Sequence, residues 1–332
     1  VAIKRVKITK ATEVELKRLL REVSVLKCCR GAPHIVQLLD IVAADSLDDF
    51  DEVFMVFEHV ETDLHKITKS NQNLTPRHVQ HIMYQILTAM NFLESACVIH
   101  RDIKPANLLI SLSCRVHLAD FGLARVVRPE SDFAARRRAY GSFDHSLHVQ
   151  PCRHHYPAFA SCRLGAETPQ PPAIAARAKP HRAKANLALT HHVVTRWYRC
   201  PELILLQDYG HRVDMWSLGC VLAELLQMLP QVQPDFTKRG PLFPGNSCFP
   251  LSVETPDAYT NKYDQLNIIF KVLGTPHADD VETLPPCDAK TYLKALTPRQ
   301  GRGLAATLPG APAAALDLLE RMLAFAPAKR IT

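Results

Sequence analysis

Two short stretches hold the residues best suited to do chemistry. His100-Arg101-Asp102-Ile103-Lys104-Pro105-Ala106-Asn107 is followed, thirteen residues after Asn107, by Asp120-Phe121-Gly122. Transfer of a phosphoryl group from a nucleotide asks for little covalent help from a protein. It needs metal ions on the phosphates, a cation near the transferred group and a carboxylate beside the attacking hydroxyl. Asp102 can be that carboxylate. Lys104 lies two residues on and reaches the same pocket if the loop is extended. Asn107 and Asp120 supply hard oxygens, which suit Mg²⁺.

Upstream stands Val1-Ala2-Ile3-Lys4, and a helical stretch with three glutamates follows it. An isolated Asp-Phe-Gly carries no weight. A strand ending in Val-Ala-Ile-Lys, then a helical Glu, then the two motifs in this order form the signature set of protein kinases. Over essentially its whole length, except 126–189, the chain resembles that family. The resemblance implies an α+β, two-lobed protein-kinase fold with a small strand-rich N-lobe, here truncated, and a larger helical C-lobe. It implies ATP and Mg²⁺ as cofactors, with Asn107 and Asp120 on the metal. Lys4 would bind the α/β-phosphates and pair with Glu13, Glu15 or Glu22. Glu22 flanks the apolar stripe of its helix, whereas Glu13 and Glu15 lie in the first turn, where acids favour the helix dipole. Phe57 aligns with the gatekeeper and Glu58 to Val60 with the adenine-binding hinge. Lys104 implies Ser/Thr specificity. Cys200-Pro201-Glu202 is similar to the family's Ala-Pro-Glu, Asp214 to the acid that steadies the catalytic loop, and Arg330 to the arginine that pairs with Glu202.

Within that family the chain resembles the mitogen-activated branch. Thr195-Arg196-Trp197-Tyr198-Arg199 looks like its substrate-binding loop, and Glu61-Thr62-Asp63-Leu64 like its post-hinge segment, which adds Asp63 to the nucleotide site. Gly240-Pro241-Leu242-Phe243-Pro244-Gly245 resembles a loop shared more broadly by the proline-directed kinases. The implied substrates are proteins with Ser or Thr followed by Pro, with Arg199 shaping the proline pocket and Thr195 counted with Asp102 and Lys104 among the catalytic residues. An upstream activating kinase is implied as a partner. The family is activated on Thr-x-Tyr, but here the positions read Thr190-His191-His192. A phosphate on Thr190 can be held by Arg101, whereas His192 leaves Arg196 and Arg199 without a phosphotyrosine. A cyclin-dependent kinase commonly has Leu where Arg196 stands. A catalytically dead scaffold would lose one of Lys4, Asp102, Asn107 or Asp120, and all four are present.

These residues need elements to position them. Residues 1–8 read as a strand. Leu16, Leu19, Leu20, Val23 and Leu26 are spaced as a helical stripe between Thr12 and Cys28. Ile35–Val42 and Val53–Phe57 read as a strand pair. The chain then turns mostly helical. Thr75 caps a helix that has Pro76 in its first turn and the stripe Val79, Ile82, Met83, Ile86, Leu87, Met90 and Leu93. Further helices are expected over Asp214–Leu229, Tyr263–Leu273 and Ala313–Phe325, with a proline-containing loop at 231–262. The implied domains are a partial N-lobe, 1–60, and a C-lobe, 61–332.

Bulk composition agrees. Hydrophobic residues are 47% and charged residues 22% of the 332, as in globular proteins. No run approaches the roughly 18 apolar residues of a membrane span, so no membrane partner is expected. The net charge of +7 is concentrated: 126–189 holds ten Arg and Lys against four Asp and Glu, a local +6, leaving +1 for the rest. That argues against a nucleic-acid partner. The same segment has seven prolines and thirteen alanines without an apolar period and reads as a disordered insertion in the activation segment, or as an unspliced intron. Its Cys152, His154, His155 and Cys162 match no standard zinc spacing. Ten cysteines without a framework and no signal peptide read as reduced thiols. The expected location is cytoplasmic, with the nucleus as a second compartment. With no initiator methionine, the chain reads as a fragment. A glycine-rich loop is expected before Val1 and an acidic docking groove after Thr332.

Overall fold

The computed structural model describes residues 1–8, 11–43, 51–127, 195–245 and 265–332. The N-terminal lobe is a three-stranded antiparallel sheet in the order β1-β3-β2, formed by β1 (Ala2–Lys7), β2 (Leu38–Ala43) and β3 (Glu52–Phe57), with one helix, α1 (Glu13–Cys28). Lys4 sits opposite Met55 in the register, and Phe57 opposite both Ala2 and Leu38. Thr12 starts α1 through a capping box: its Oγ1 accepts from the Glu15 N–H, and the Glu15 carboxylate accepts from the Thr12 N–H at 2.7 Å.

Two expectations for this lobe change. The strand expected from Ile35 begins at Leu38. Ile35 and Val36 are buried and leave the sheet, with Val36 donating to the Leu118 carbonyl and Leu118 to that of His34. Leu20 is 66% exposed, because of the apolar residues of the stripe only Leu16, Leu19, Val23 and Leu26 turn toward the protein, with Val25 beside them.

The C-terminal lobe is helical, with α2 (Leu64–Lys69), α3 (Pro76–Ser95), α4 (Pro201–Ile204) and α5 (Arg212–Gln227) nearest the site. Thr75 caps α3, and its apolar stripe is buried or half-buried as the spacing predicts. Every residue of α5 from Val213 to Leu226 is buried, the mark of a helix that is itself the core. A Cβ on Gly219 would lie 2.9 Å from Leu323 Cδ2 and 3.2 Å from Met322 Cβ, so a larger residue there would push against the end of the helix Ala313–Met322. Shorter helices, Ala278–Glu282, Asp288–Ala295 and Leu304–Thr307, were not legible in the periodicity. The helix expected from Tyr263 is described from Gln265. No helix among the described residues is long and apolar enough to cross a membrane.

Short strands that periodicity does not reveal hold the site: β4 (Thr62–Asp63), β5 (Val98–Ile99), β6 (Leu108–Ile110), β7 (Val116–Leu118) and β8 (Arg125–Val126). β5 pairs with β8, and β6 pairs with β7 and β4. The loop 100–107 therefore runs from β5 to β6, and the loop 119–124 from β7 to β8. Two strand pairs clamp both loops side by side. This corrects the start of the insertion: Arg125 and Val126 are paired strand residues, and Val127 donates to the Cys97 carbonyl. Residues 128–189, with the zinc candidates, and Thr190, His191 and His192 lie outside the described residues.

Candidate active site

Asp102 sits at the centre of the first cluster, 5% exposed. Lys104 Nζ donates to its Oδ2 at 2.7 Å, and Asn107 Nδ2 donates to the same oxygen at 3.0 Å and to the Asp102 carbonyl at 2.8 Å. Oδ1 accepts from the Thr195 hydroxyl at 3.2 Å and from its N–H at 3.3 Å. Lys104 also reaches Thr195 Oγ1 at 3.1 Å. The structure thus brings Asp102, Lys104, Asn107 and Thr195 together. Because Asn107 uses its NH₂ group on Asp102, its carbonyl oxygen is left for another partner.

Buried groups fix the loop that carries Asp102. The Asp214 carboxylate on α5 accepts the His100 N–H at 2.7 Å and the Arg101 N–H at 2.8 Å. Burial raises this carboxyl to about 6, against the pull of those two N–H groups. Burial likewise lowers His100 below its ordinary value. Its neutral ring donates from Nε2 to the Ala119 carbonyl at 3.1 Å and accepts the Asp102 N–H at Nδ1. The same ring meets Phe121 edge-on, with centroids 4.8 Å apart. His100 therefore joins the two motifs by a hydrogen bond and a ring contact.

The second cluster joins the lobes. Lys4 Nζ donates to both carboxylate oxygens of Glu22, at 2.7 and 2.9 Å, and lies 3.8 Å from Asp120 Oδ1. Of the three candidate glutamates, Glu22 is the buried one. Burial raises its carboxyl, and Lys4 draws it back. Glu13 instead pairs with Lys17 and Glu15 with the Thr12 cap. The Asp120 side chain is half exposed and its backbone is left-handed, φ 62°, a conformation that Asp tolerates better than most residues. Asn107 and Asp120 thus present oxygen donors on adjacent loops, a donor set that fits Mg²⁺, which takes few protein ligands and keeps the rest for water and phosphate. Among the described residues no group of three His, Cys, Asp or Glu could hold a metal by itself.

Phe57, Glu58, Val60 and Asp63 lie along the β3–α2 connection. Glu58 accepts the Gln37 N–H at 2.9 Å and donates its own N–H to the Gln37 carbonyl. Asp63 caps α2 through the Lys66 N–H and faces Leu109 across the β4–β6 pair, two residues beyond Asn107. Arg196 is exposed, Arg199 buried.

Tertiary structure adds residues that the motifs did not name. Tyr198 donates 2.6 Å to Glu224, a carboxyl that burial raises to about 7. This anchors the 195–199 turn on α5. An acid among the apolar residues Leu218 to Leu229 is the sequence signal, since it needs a buried partner. Arg125 is lowered by burial and by the charges of Arg101 and Arg21, so three arginines gather beside the Asp102 loop. Arg101 donates to the Leu123 carbonyl at 2.7 Å and to the Tyr209 hydroxyl at 2.8 Å.

This is the architecture of a protein kinase, and the sequence matches the family description "Protein kinase domain" over residues 1–144 and 174–332. The chain belongs to the mitogen-activated protein kinase family. It is similar to extracellular signal-regulated kinase 2 of Dictyostelium discoideum, 34% identical across the whole chain and 69% of that protein. It is likewise similar to mitogen-activated protein kinase homolog NTF3 of Nicotiana tabacum, 32% identical across the whole chain and 68% of that protein. Mitogen-activated protein kinase 2 of Arabidopsis thaliana is 31% identical, with 67% of its length covered. The chain is a serine/threonine protein kinase of the mitogen-activated type. Nothing favours the dead-scaffold alternative. The family uses ATP and Mg²⁺ and acts on proteins, under upstream kinases.

Proposed function

We propose that this kinase transfers the γ-phosphoryl group of ATP to Ser or Thr followed by Pro in protein substrates. The observation that supports it best is the convergence of Lys104, Asn107 and Thr195 on the Asp102 carboxylate. In this reading Asp102 orients the attacking hydroxyl and takes its proton, and Lys104 neutralises charge on the transferred group. Lys4, held by Glu22, binds the α/β-phosphates. Phe57, Glu58, Val60 and Asp63 line the adenosine site. Asn107 and Asp120 would hold Mg²⁺, which when bound would neutralise charge on the phosphates. Arg199 and the anchored 195–199 turn shape a pocket that accepts proline. The location that goes with this reading is the cytoplasm, with the nucleus as a second compartment.

Specificity is tested with matched peptides. A Ser-Pro peptide is expected to be phosphorylated at least about tenfold faster than its Ser-Ala twin, a difference of roughly 1.4 kcal/mol in the barrier. Equal rates would leave a serine/threonine kinase without proline direction.

Regulation belongs to the same reading. A phosphate on Thr190 would give Arg101, with Arg21 and Arg125 nearby, a dianionic partner. His192 offers no second phosphate, so one phosphorylation suffices. The 62 residues of 128–189 add to the cost of closing the segment only as the logarithm of length. Thr190→Ala is expected to lose most activity, and mass spectrometry of the active enzyme should find phosphate at Thr190. Full activity in Thr190→Ala, or a required phosphotyrosine at Tyr140 or Tyr156, would overturn this.

A further inference from the structure

Arg101 is 2% exposed and has a left-handed backbone, φ 67°, a conformation that a non-glycine residue keeps only when its surroundings impose it. Three bonds do so. Its N–H goes to Asp214, its Nε to the Leu123 carbonyl, and its Nη1 to the Tyr209 hydroxyl. Leu123 follows Gly122 in the turn that carries Asp120, and Tyr209 lies between α4 and α5. Among the described residues the guanidinium has two neutral acceptors and no carboxylate ion pair, and it stands close enough to Arg125 to help lower that residue's pKa. A guanidinium cannot shed its proton to relieve such crowding. Something must aim it, and among the described residues only Tyr209 holds the guanidinium from outside the two motif loops.

We propose that Tyr209 is a positioning residue for phosphoryl transfer. Its hydroxyl holds Arg101 against the Leu123 carbonyl, fixing the spacing between the Asp102 loop and the Asp120 turn when no phosphate is present. A phosphate on the activation segment takes over that task, because a charge-assisted contact outweighs one to a neutral hydroxyl. Tyr209 therefore sets the activity of the unphosphorylated enzyme. The second part of the inference rests on the proposed phosphate at Thr190, and the first part does not.

Tyr209→Phe keeps the ring and removes the hydroxyl. In a Thr190→Ala background it is expected to lower kcat about fivefold, the rate equivalent of one hydrogen bond, with KM for ATP unchanged. In enzyme phosphorylated at Thr190 the same change should leave kcat within about twofold. Arg101→Lys keeps the charge but lacks the second nitrogen of the fork, so the two changes should be non-additive. A kcat unchanged in the Thr190→Ala background overturns the inference. So does an equal fall in both phosphorylation states, which marks a merely structural tyrosine, or strict additivity with Arg101→Lys. Full activity in Thr190→Ala alone removes the phosphate reading, and the positioning role is then decided by the kcat of Tyr209→Phe in that background.

Discussion

Asp120→Asn is expected to lower phosphorylation of a Ser-Pro peptide by at least about a thousandfold, some 4 kcal/mol of barrier, while the fold stays intact. The chemical loss is large because asparagine keeps an oxygen but removes the negative charge that would hold Mg²⁺ on the phosphates. The structural loss is small for three reasons. The Asp120 side chain is half exposed, its distance to Lys4 is 3.8 Å, and its bond from the Gly122 N–H is 3.4 Å long. Asparagine also tolerates the left-handed backbone that this position requires. Asp102 is a less clean test, because its carboxylate accepts from Lys104, Asn107 and Thr195, and an amide there would turn an NH₂ group against donors. The measurement is peptide phosphorylation alongside circular dichroism and urea denaturation, with stability expected within about 0.5 kcal/mol of the parent. Turnover within tenfold of the parent would remove Asp120 from the metal site.

The site was legible in the sequence where chemistry is written in contiguous strings. Asp102, Lys104 and Asn107 lie within one loop, so their spacing alone brings them to a common point. The helices α1 and α3 were legible because Thr12 and Thr75 announce their starts and the apolar residues that follow keep a helical period. The strands that clamp the loops were not, because two or three residues such as Val98–Ile99 carry no alternation to read. Leu20 shows the limit of a stripe: its type fits the core, but its angle around α1 faces solvent. Tyr209, Arg21, Arg125 and Glu224 were missed for a further reason. Their partners are far away in sequence, 108 residues in the case of Tyr209 and Arg101, and only the folded chain brings them to the site. Glu22 stands between the two kinds. Its helix was evident, but the choice among three glutamates rests on burial, which neighbours outside the helix supply.

Glu202→Gln is expected to destabilise the fold by about 3–5 kcal/mol, a large share of the 5–15 kcal/mol that holds a typical domain together. Arg330 donates to the two Glu202 oxygens at 2.5 and 2.7 Å, and its side chain is fully buried. Burial works against its charge, and Glu202 more than offsets that, leaving the guanidinium above its ordinary pKa. Removing the carboxylate leaves a cation that cannot neutralise itself and cannot reach water. The guanidinium also lies 5.1 Å from the centre of the Trp216 ring, which in turn stacks on Phe243, so a shift of Arg330 would disturb the base of α5. A paired apolar replacement, Glu202→Leu with Arg330→Met, should recover only part of the loss. Buried ion pairs can often be exchanged for apolar side chains, but Arg330 also satisfies the carbonyls of Ala324, Phe325 and Arg212. Those acceptors would be stranded, each at a cost of about 1–3 kcal/mol. Urea denaturation decides the matter: the midpoint should fall in the single variant with the slope unchanged. A shift below about 1 kcal/mol would mean that water or a rearranged carbonyl reaches Arg330, and that the pair contributes no more than a surface salt bridge does.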